Sequence, residues 1–400
     1  MQMRRWLKAV VTLGTASVLV ACSTVSENRL PAVSGEADMS VRWRTTLGEG
    51  PGTVYTRLKA AVDGDLVYAA DTTGNVLALE LDSGSTVWSR DLGQPIMGGV
   101  LVDRGQLFVS LKEGSLLALS AETGKEEWRA MLPSESVAMA SADRKRVFVQ
   151  TVDGRVTALE RDTGEQAWSY EAGMPVLSVR GTGAPLVTER LIITGFATGK
   201  LVALDKTLGI PRWDVRLGVP DGRSELERLV DVDGSPVYDN RVIYAAAYHG
   251  KVAAVSEMGE VIWQEEGSSY TSPELALGSV YLTLDNDHIQ SYDMVSGERA
   301  WQQDKLAGRG LSQVTATGTY LAVGDEEGYV YLLSQVDGEL VDRILLRPRP
   351  LHVNYPHQGE ATNWRLSRGR DFGIRSNMLD TDEGLLVYTN FGELMLIEVE

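Results

Sequence analysis

The residue patterns best placed to do chemistry are two acidic stretches, Asp231-Val232-Asp233-Gly234 and Asp285-Asn286-Asp287, and four histidines, His249, His288, His352 and His357. Closely spaced carboxylates open a calcium-binding loop, but such a loop closes on a bidentate glutamate at its twelfth position. Val242 and Ser296 stand there instead. Turn formation between strands is the competing use of Asp and Asn at such places. Of the histidines only His352 and His357 are near in sequence, and two nitrogens without a third ligand make a weak metal site. No GxSxG elbow, phosphate-cradling GxxxxGK[ST], HExxH or CxxC is present, and these are the patterns that place a nucleophile, a phosphate or a metal. No catalytic residue, cofactor site or metal site is therefore assigned, and the chain is expected not to be an enzyme.

The remaining reactive side chain is the single cysteine. Arg4, Arg5 and Lys8 precede an uncharged stretch from Ala9 to Val20, the layout of a secretory signal and too short to span a bilayer. Leu19-Val20-Ala21-Cys22 resembles the lipobox of bacterial lipoproteins. That resemblance implies cleavage before Cys22, acylation there, and several buried acyl chains where one would not hold. Ser23 in place of aspartate implies, by the sorting pattern it resembles, carriage to the outer membrane. Residues 1–21 are thus expected to be a signal peptide, and their removal takes the formal charge from −17 to −20. An acidic body argues against a nucleic-acid partner, which needs a clustered positive field.

Residues 22–40 are polar and lack hydrophobic period, with Pro31 and Gly35, and read as a lipidated flexible tether. Beyond Val41 the chain repeats. Gly-x-x-x-Trp recurs at Gly84/Trp88, Gly124/Trp128, Gly164/Trp168, Gly209/Trp213, Gly259/Trp263 and Gly297/Trp301, with tryptophan intervals of 40, 40, 45, 50 and 38 residues. These are the periods of four-stranded propeller blades. Before each glycine lies an apolar strand such as Val76-Leu77-Ala78-Leu79, and Gly, Asp and Asn punctuate short β-rich runs throughout.

A seventh unit has Gly328 and Gly338 but Asp342 in the tryptophan position; Trp364 is a candidate to fill that gap. Residues 376–400 supply three strands of an eighth unit, and the spare strand around Trp43 supplies its fourth. The expected fold is all-β: an eight-bladed β-propeller over residues 41–400, with four-stranded antiparallel blades, closed by the N-terminal strand. Closure removes the exposed ends of an open array. The tryptophans are expected to wedge between blades, each burying about 200 Å².

The repeat is also similar to that of pyrroloquinoline-quinone dehydrogenases, which makes a quinone-dependent enzyme one alternative; an envelope glycan-binding lipoprotein is another. Many of those enzymes stack the quinone on a disulfide of adjacent cysteines, and no cysteine remains here once Cys22 is lipidated.

The two longest tryptophan intervals are adjacent. Both insertions, near 172–184 and 218–236, fall between an outer strand and the next inner strand, so they emerge side by side on one face, where a rigid scaffold tends to carry its binding loops. Here Pro175-Val176-Leu177-Ser178-Val179-Arg180-Gly181 with Ala184-Pro185, and Glu225-Leu226-Glu227-Arg228-Leu229-Val230-Asp231-Val232-Asp233 with Pro236, resemble the BamB family of propeller lipoproteins of the outer-membrane β-barrel assembly machinery.

The resemblance covers the whole chain. It implies a lipid-anchored scaffold on the periplasmic face of the outer membrane, which docks on the POTRA region of the central assembly subunit and assists unfolded outer-membrane protein clients. Leu177 and Val179 would be apolar anchors and Arg180 a charged contact. Asp231 and Asp233 would be either acidic contacts or supports that pair with Arg180 or Arg228. Between Arg343 and Arg375 the chain departs from the family's compact pattern, with seven arginines against Glu360 and Asp371. Headgroup contact, a second protein partner and solvation are all open for that stretch.

Overall fold

A computed structural model describes residues 30–51, 57–175, 178, 182–224, 226–346 and 373–400. The chain divides into residues 1–32, of which only 30–32 are described and carry no regular element, and Val33–Glu400. In the larger unit strands are the only long elements among the described residues. They form eight sheets, each built on four antiparallel strands, in an eight-bladed propeller.

Blade 1 runs β3 (Ala61–Asp63), β4 (Leu66–Ala70), β5 (Asn75–Glu80) and β6 (Thr86–Asp91), and six further blades repeat that order along the chain. Blade 8 is composite: β31 (Leu379–Thr381), β32 (Gly384–Tyr388) and β33 (Glu393–Val399) take β1 (Met39–Thr46) as their outer strand. Ring closure by the N-terminal strand is therefore as expected, with Trp43 opposite Leu396 and Met39 opposite Val399. Ser34 and Gly35 already donate backbone hydrogen bonds to Leu340 and Val341. Blade 2 adds an element that the repeat did not predict, the two-residue β2 (Arg57–Leu58), which pairs in parallel with Gly98 and Gly99 of the inner strand β7 (Ile96–Asp103).

The core lies between blades. Each apolar cluster joins neighbours, as where Tyr68, Val76 and Ala78 of blade 1 pack on Leu107, Val109 and Leu117 of blade 2. This follows from strands such as β4 and β5, which are buried on both faces and therefore read as continuous apolar runs.

The Gly-x-x-x-Trp signature turns out to serve two interfaces. Each indole N–H donates to a carbonyl of the following blade: Trp43 to Leu81, Trp88 to Ala121, Trp128 to Arg161, Trp168 to Lys206, Trp213 to Glu257, Trp263 to Met294 and Trp301 to Gln335, all at 2.7–3.1 Å. The ring then lies on that blade's turn glycine, where a Cβ would come within 2.5–2.7 Å of a ring carbon. The glycine of one repeat is thus the seat for the tryptophan of the repeat before it. A register shift stands just ahead of the tryptophan in seven blades, for example between Val41 and Trp43 and between Glu126 and Trp128, and ahead of Asp342 in blade 7. Such a bulge re-aims the side chain that follows it.

One junction departs from this rule. By pairing register Met39 occupies the glycine position of blade 8, and blade 7 presents Asp342 where its tryptophan would be. The Asp342 carboxylate accepts the Met39 backbone N–H at 3.0 Å. Loss of the indole and loss of the glycine accompany each other. Trp364, named above as a cover for this gap, lies outside the described residues.

The seat yields a prediction. Gly209 has φ +69° and its added Cβ would meet the Trp168 ring at 2.5 Å, whereas Gly64, at φ +58°, faces open space. Both Gly→Ala changes carry the left-handed backbone penalty, but Gly209→Ala also overpacks the junction, at about 1–3 kcal/mol. Urea unfolding should place Gly209→Ala well below Gly64→Ala. Equal losses would show that the seat is not close-packed.

Candidate partner-docking site

Outer-to-inner connections all emerge on one face, together with the turns between each blade's second and third strands. Two neighbouring long ones are 172–185, between β14 (Gln166–Glu171) and β15 (Leu186–Val187), and 217–236, between β18 (Pro211–Arg216) and β19 (Val237–Asp239); the still longer 346–378, between β30 (Leu340–Leu345) and β31, lies mostly outside the described residues. They touch: the Ala184 N–H donates to Ser235 Oγ at 2.8 Å, and a Cβ on Gly183 would fall 2.8 Å from the Gly234 carbonyl. A groove of about 580 Å³ lies beside them, lined by Tyr170, Phe196, Pro175 and Pro220 together with the charged Lys200, Asp214, Arg216 and Arg228. Leu226, Val219 and Met174 add exposed apolar surface, at 68%, 65% and 39% exposure. Apolar anchors with an arginine beside them are the composition of a protein-binding patch.

The tip of the second insertion is tied by local bonds. Glu227 accepts the N–H groups of Arg223 and Ser224 at 2.6 and 3.2 Å, and Arg228 Nε donates to the Gly222 carbonyl at 3.0 Å. Its base is tied to blade 5, where Asp231 forms an antiparallel bridge with Tyr248. His249 Nδ1 lies 2.9 Å from the Leu229 carbonyl, with the ring stacked on Tyr248 at 3.9 Å.

Asp231 and Asp233 are buried, at 2% and 0% exposure. Of the two roles the sequence left open, burial favours support beneath the loop over direct contact with a partner. Leu177, Val179 and Arg180 lie outside the described residues, as do Cys22 and 347–372. Sequence reading did not single out Ser235, Tyr248 or the exposed Leu226 for a role. Only the last carried a usable signal, as a leucine in a loop otherwise rich in charge.

The second acidic stretch performs joint chemistry between blades. Asp287 accepts Gly310 N–H and Leu311 N–H at 2.9 and 2.8 Å, and Asp285 accepts the Ser268 hydroxyl at 2.5 Å. Around the axis the connections are hydrogen-bonded hand to hand. Ser235 N–H donates to Ser272 Oγ, and Ser272 N–H and the Asn377 amide both donate to Gln313 Oε1. Ser235, Ser272, Gln313 and Asn377 are among the residues lining a cavity of about 320 Å³.

In blade 7 the connection is clamped by a buried ion pair. Arg309 Nε meets Asp325 at 2.8 Å and a terminal nitrogen meets Glu327 at 3.0 Å, with the guanidinium 5.7 and 5.6 Å from the Tyr329 and Tyr331 rings. Burial pushes the Asp325 carboxyl above its ordinary range, against the opposing pull of the Tyr329 N–H and Arg309. Among the described residues no group of three or more His, Cys, Asp or Glu is placed to hold a metal ion.

A family model described as outer membrane protein assembly factor BamB matches residues 5–95 and 73–303. The chain belongs to the BamB family. The BamB of Pseudomonas aeruginosa is 48% identical over 362 residues, covering 88% of this chain and 95% of that protein. The Escherichia coli K12 BamB is 33% identical over 359 residues, covering 85% and 91%. The crystal structure of BamB from Moraxella catarrhalis superposes with a TM-score of 0.78 at 26% identity, over 90% of this chain and 100% of that one. The quinohemoprotein alcohol dehydrogenase of Comamonas testosteroni reaches a TM-score of 0.63 at 13% identity, over 90% of this chain and 76% of that one. That second likeness is one of fold alone.

Proposed function

We propose that this chain is a non-catalytic scaffold of the outer-membrane β-barrel assembly machinery, which docks through its 172–185 and 217–236 loops on the POTRA region of the central subunit. The observation that carries the reading is the pair of coupled insertions on one face of a rigid ring, in a chain whose relatives are named as outer membrane protein assembly factors. Unfolded outer-membrane proteins would be its clients, oriented without covalent change.

The chain would be held at the periplasmic face of the outer membrane by acylated Cys22, after removal of residues 1–21, with a tether that ends before Ser34, where backbone bonding to the blades begins. Support comes from the apolar run ending in Leu19-Val20-Ala21-Cys22. Leu177 and Val179 would supply apolar anchors and Arg180 a charged contact, with Asp231 and Asp233 holding the loop from beneath.

Titration of a purified POTRA fragment with the mature protein tests this directly. Leu177→Ala and Arg180→Ala should each weaken binding about thirtyfold, the 2 kcal/mol of a typical hot spot. Their melting curves should match the parent, because substitutions away from packed cores and buried networks usually cost little stability. Undiminished affinity in both variants would remove the docking role from these loops.

A further inference from the structure

In each blade the turn between the second and third strands closes a hydrogen bond from its first residue to its fifth, as from Asp71 N to the Asn75 carbonyl and from Leu284 N to the His288 carbonyl. Seven of the eight turns place the left-handed backbone at the fourth residue. It is glycine in Gly74, Gly114, Gly154, Gly199, Gly328 and Gly392, and aspartate in Asp287 at φ +62°. Blade 5 differs. Its turn runs from Ala247 to Lys251, and the left-handed residue is the third, His249, at φ +49°, although Gly250 follows it. A non-glycine residue is uncommon in that region, histidine being among the types that adopt it more readily, and His249 is itself solvent-exposed.

The displaced turn aims the imidazole at the insertion. His249 Nδ1 reaches the Leu229 carbonyl at 2.9 Å, so the ring nitrogen donates to it. Tyr248 stacks on the ring at 3.9 Å and 22°, and its backbone N–H donates to the Asp231 carbonyl at 2.7 Å. From the other side His249 N–H donates to Ser268 Oγ at 2.8 Å, and that hydroxyl donates to Asp285 at 2.5 Å. A continuous line of bonds therefore runs from the acidic turn of blade 6, through Ser268 and His249, to Leu229, two residues before Asp231.

We infer that His249 is a positioning residue for the docking surface: it fixes the base of the 217–236 loop so that the loop meets a protein partner already shaped. The inference rests on the docking role proposed above for this loop. It also gives Asp285 a part in that surface, as the far end of the brace. Loss of the brace leaves the blades untouched, because neither His249 nor Leu229 belongs to a strand.

The conservative replacement is asparagine. Its amide nitrogen stands where Nδ1 stands, it can donate to the same carbonyl, and it tolerates the left-handed backbone. In the full-length mature protein, His249→Ala should speed amide hydrogen exchange across residues 226–233 by about tenfold or more, with exchange in the strands unchanged. His249→Asn should restore it. Against the POTRA fragment, His249→Ala should weaken docking about tenfold and His249→Asn much less, because a mobile loop must be ordered on binding.

Hydrogen exchange needs no partner, so the two readings fail separately. Parental exchange at 226–233 in His249→Ala, or no recovery in His249→Asn, overturns the positioning role. So does a loosened loop that docks as tightly as the parent. A parent that does not bind the POTRA fragment overturns the docking reading instead.

Discussion

Removal of residues 41–47 is expected to cost more stability than any single substitution in a blade. The deletion takes Trp43 and Leu47, buried to 9% and 2% exposure, and the indole bond to the Leu81 carbonyl. It also strips the outer partner from β33, whose Leu394 and Leu396 are fully buried. Loss of one large buried aromatic alone costs about 3–5 kcal/mol, and each backbone bond of the lost ladder adds about 0.5–1.5 kcal/mol. The expected result is a large fall in the urea midpoint, or no folded protein at all. A truncated chain that unfolds at the parental midpoint would mean that β1 does not close the ring.

Arg309→Leu should produce the second largest loss. The guanidinium is the ion-pair partner of Asp325, which is 0% exposed, and removing one member of a buried pair costs about 3–5 kcal/mol by stranding the other. The pH dependence carries the diagnosis. Burial already raises the Asp325 carboxyl in the folded state, and Arg309 is among the groups that oppose the rise. Without Arg309 the folded value climbs further above the unfolded one.

An acid raised by folding favours the folded state when protonated, so that contribution is present below the unfolded value and is lost as pH rises through the folded value. The deficit of Arg309→Leu relative to the parent should therefore be full near neutral pH and shrink as the solution is acidified. Denaturant midpoints across that range, parent beside variant, measure it. A pH-independent deficit would indicate lost packing against Tyr329 and Tyr331 rather than a stranded carboxylate.

Much of this architecture could be read from the residues because the blades repeat their chemistry. Glycine and tryptophan four apart marked the turn and the outer strand, and a final unit short of one strand, with Trp43 spare at the front, implied closure. What stayed hidden depends on pairing register or on contacts distant in sequence. The missing tryptophan at Asp342 was visible, but its relation to Met39 needs the alignment of β1 against β33. A two-residue strand such as β2 has no period to detect. The insertions announced themselves through the 45- and 50-residue tryptophan intervals, yet His249 braces one of them from a turn that looks ordinary in sequence. The same limit applied to Asp231 and Asp233, because burial is decided by the covering chain.

The seam between Met39 and Asp342 has a consequence for how errors in assembly are avoided. β1 is the first strand synthesised and β33 the last, so the N-terminal strand must wait through seven blades without its partner. Throughout that interval it is a free outer strand able to compete with the native one of any other blade, the usual origin of misregistered and exchanged strands. Methionine at position 39 acts as a steric address. Elsewhere in the ring it would have to occupy a seat where even a Cβ comes within 2.5–2.7 Å of an indole. Behind Asp342 no indole of the described residues lies on that seat, and the carboxylate there receives the Met39 N–H. The one irregular junction among the described blades is thus the one whose shape accepts this strand.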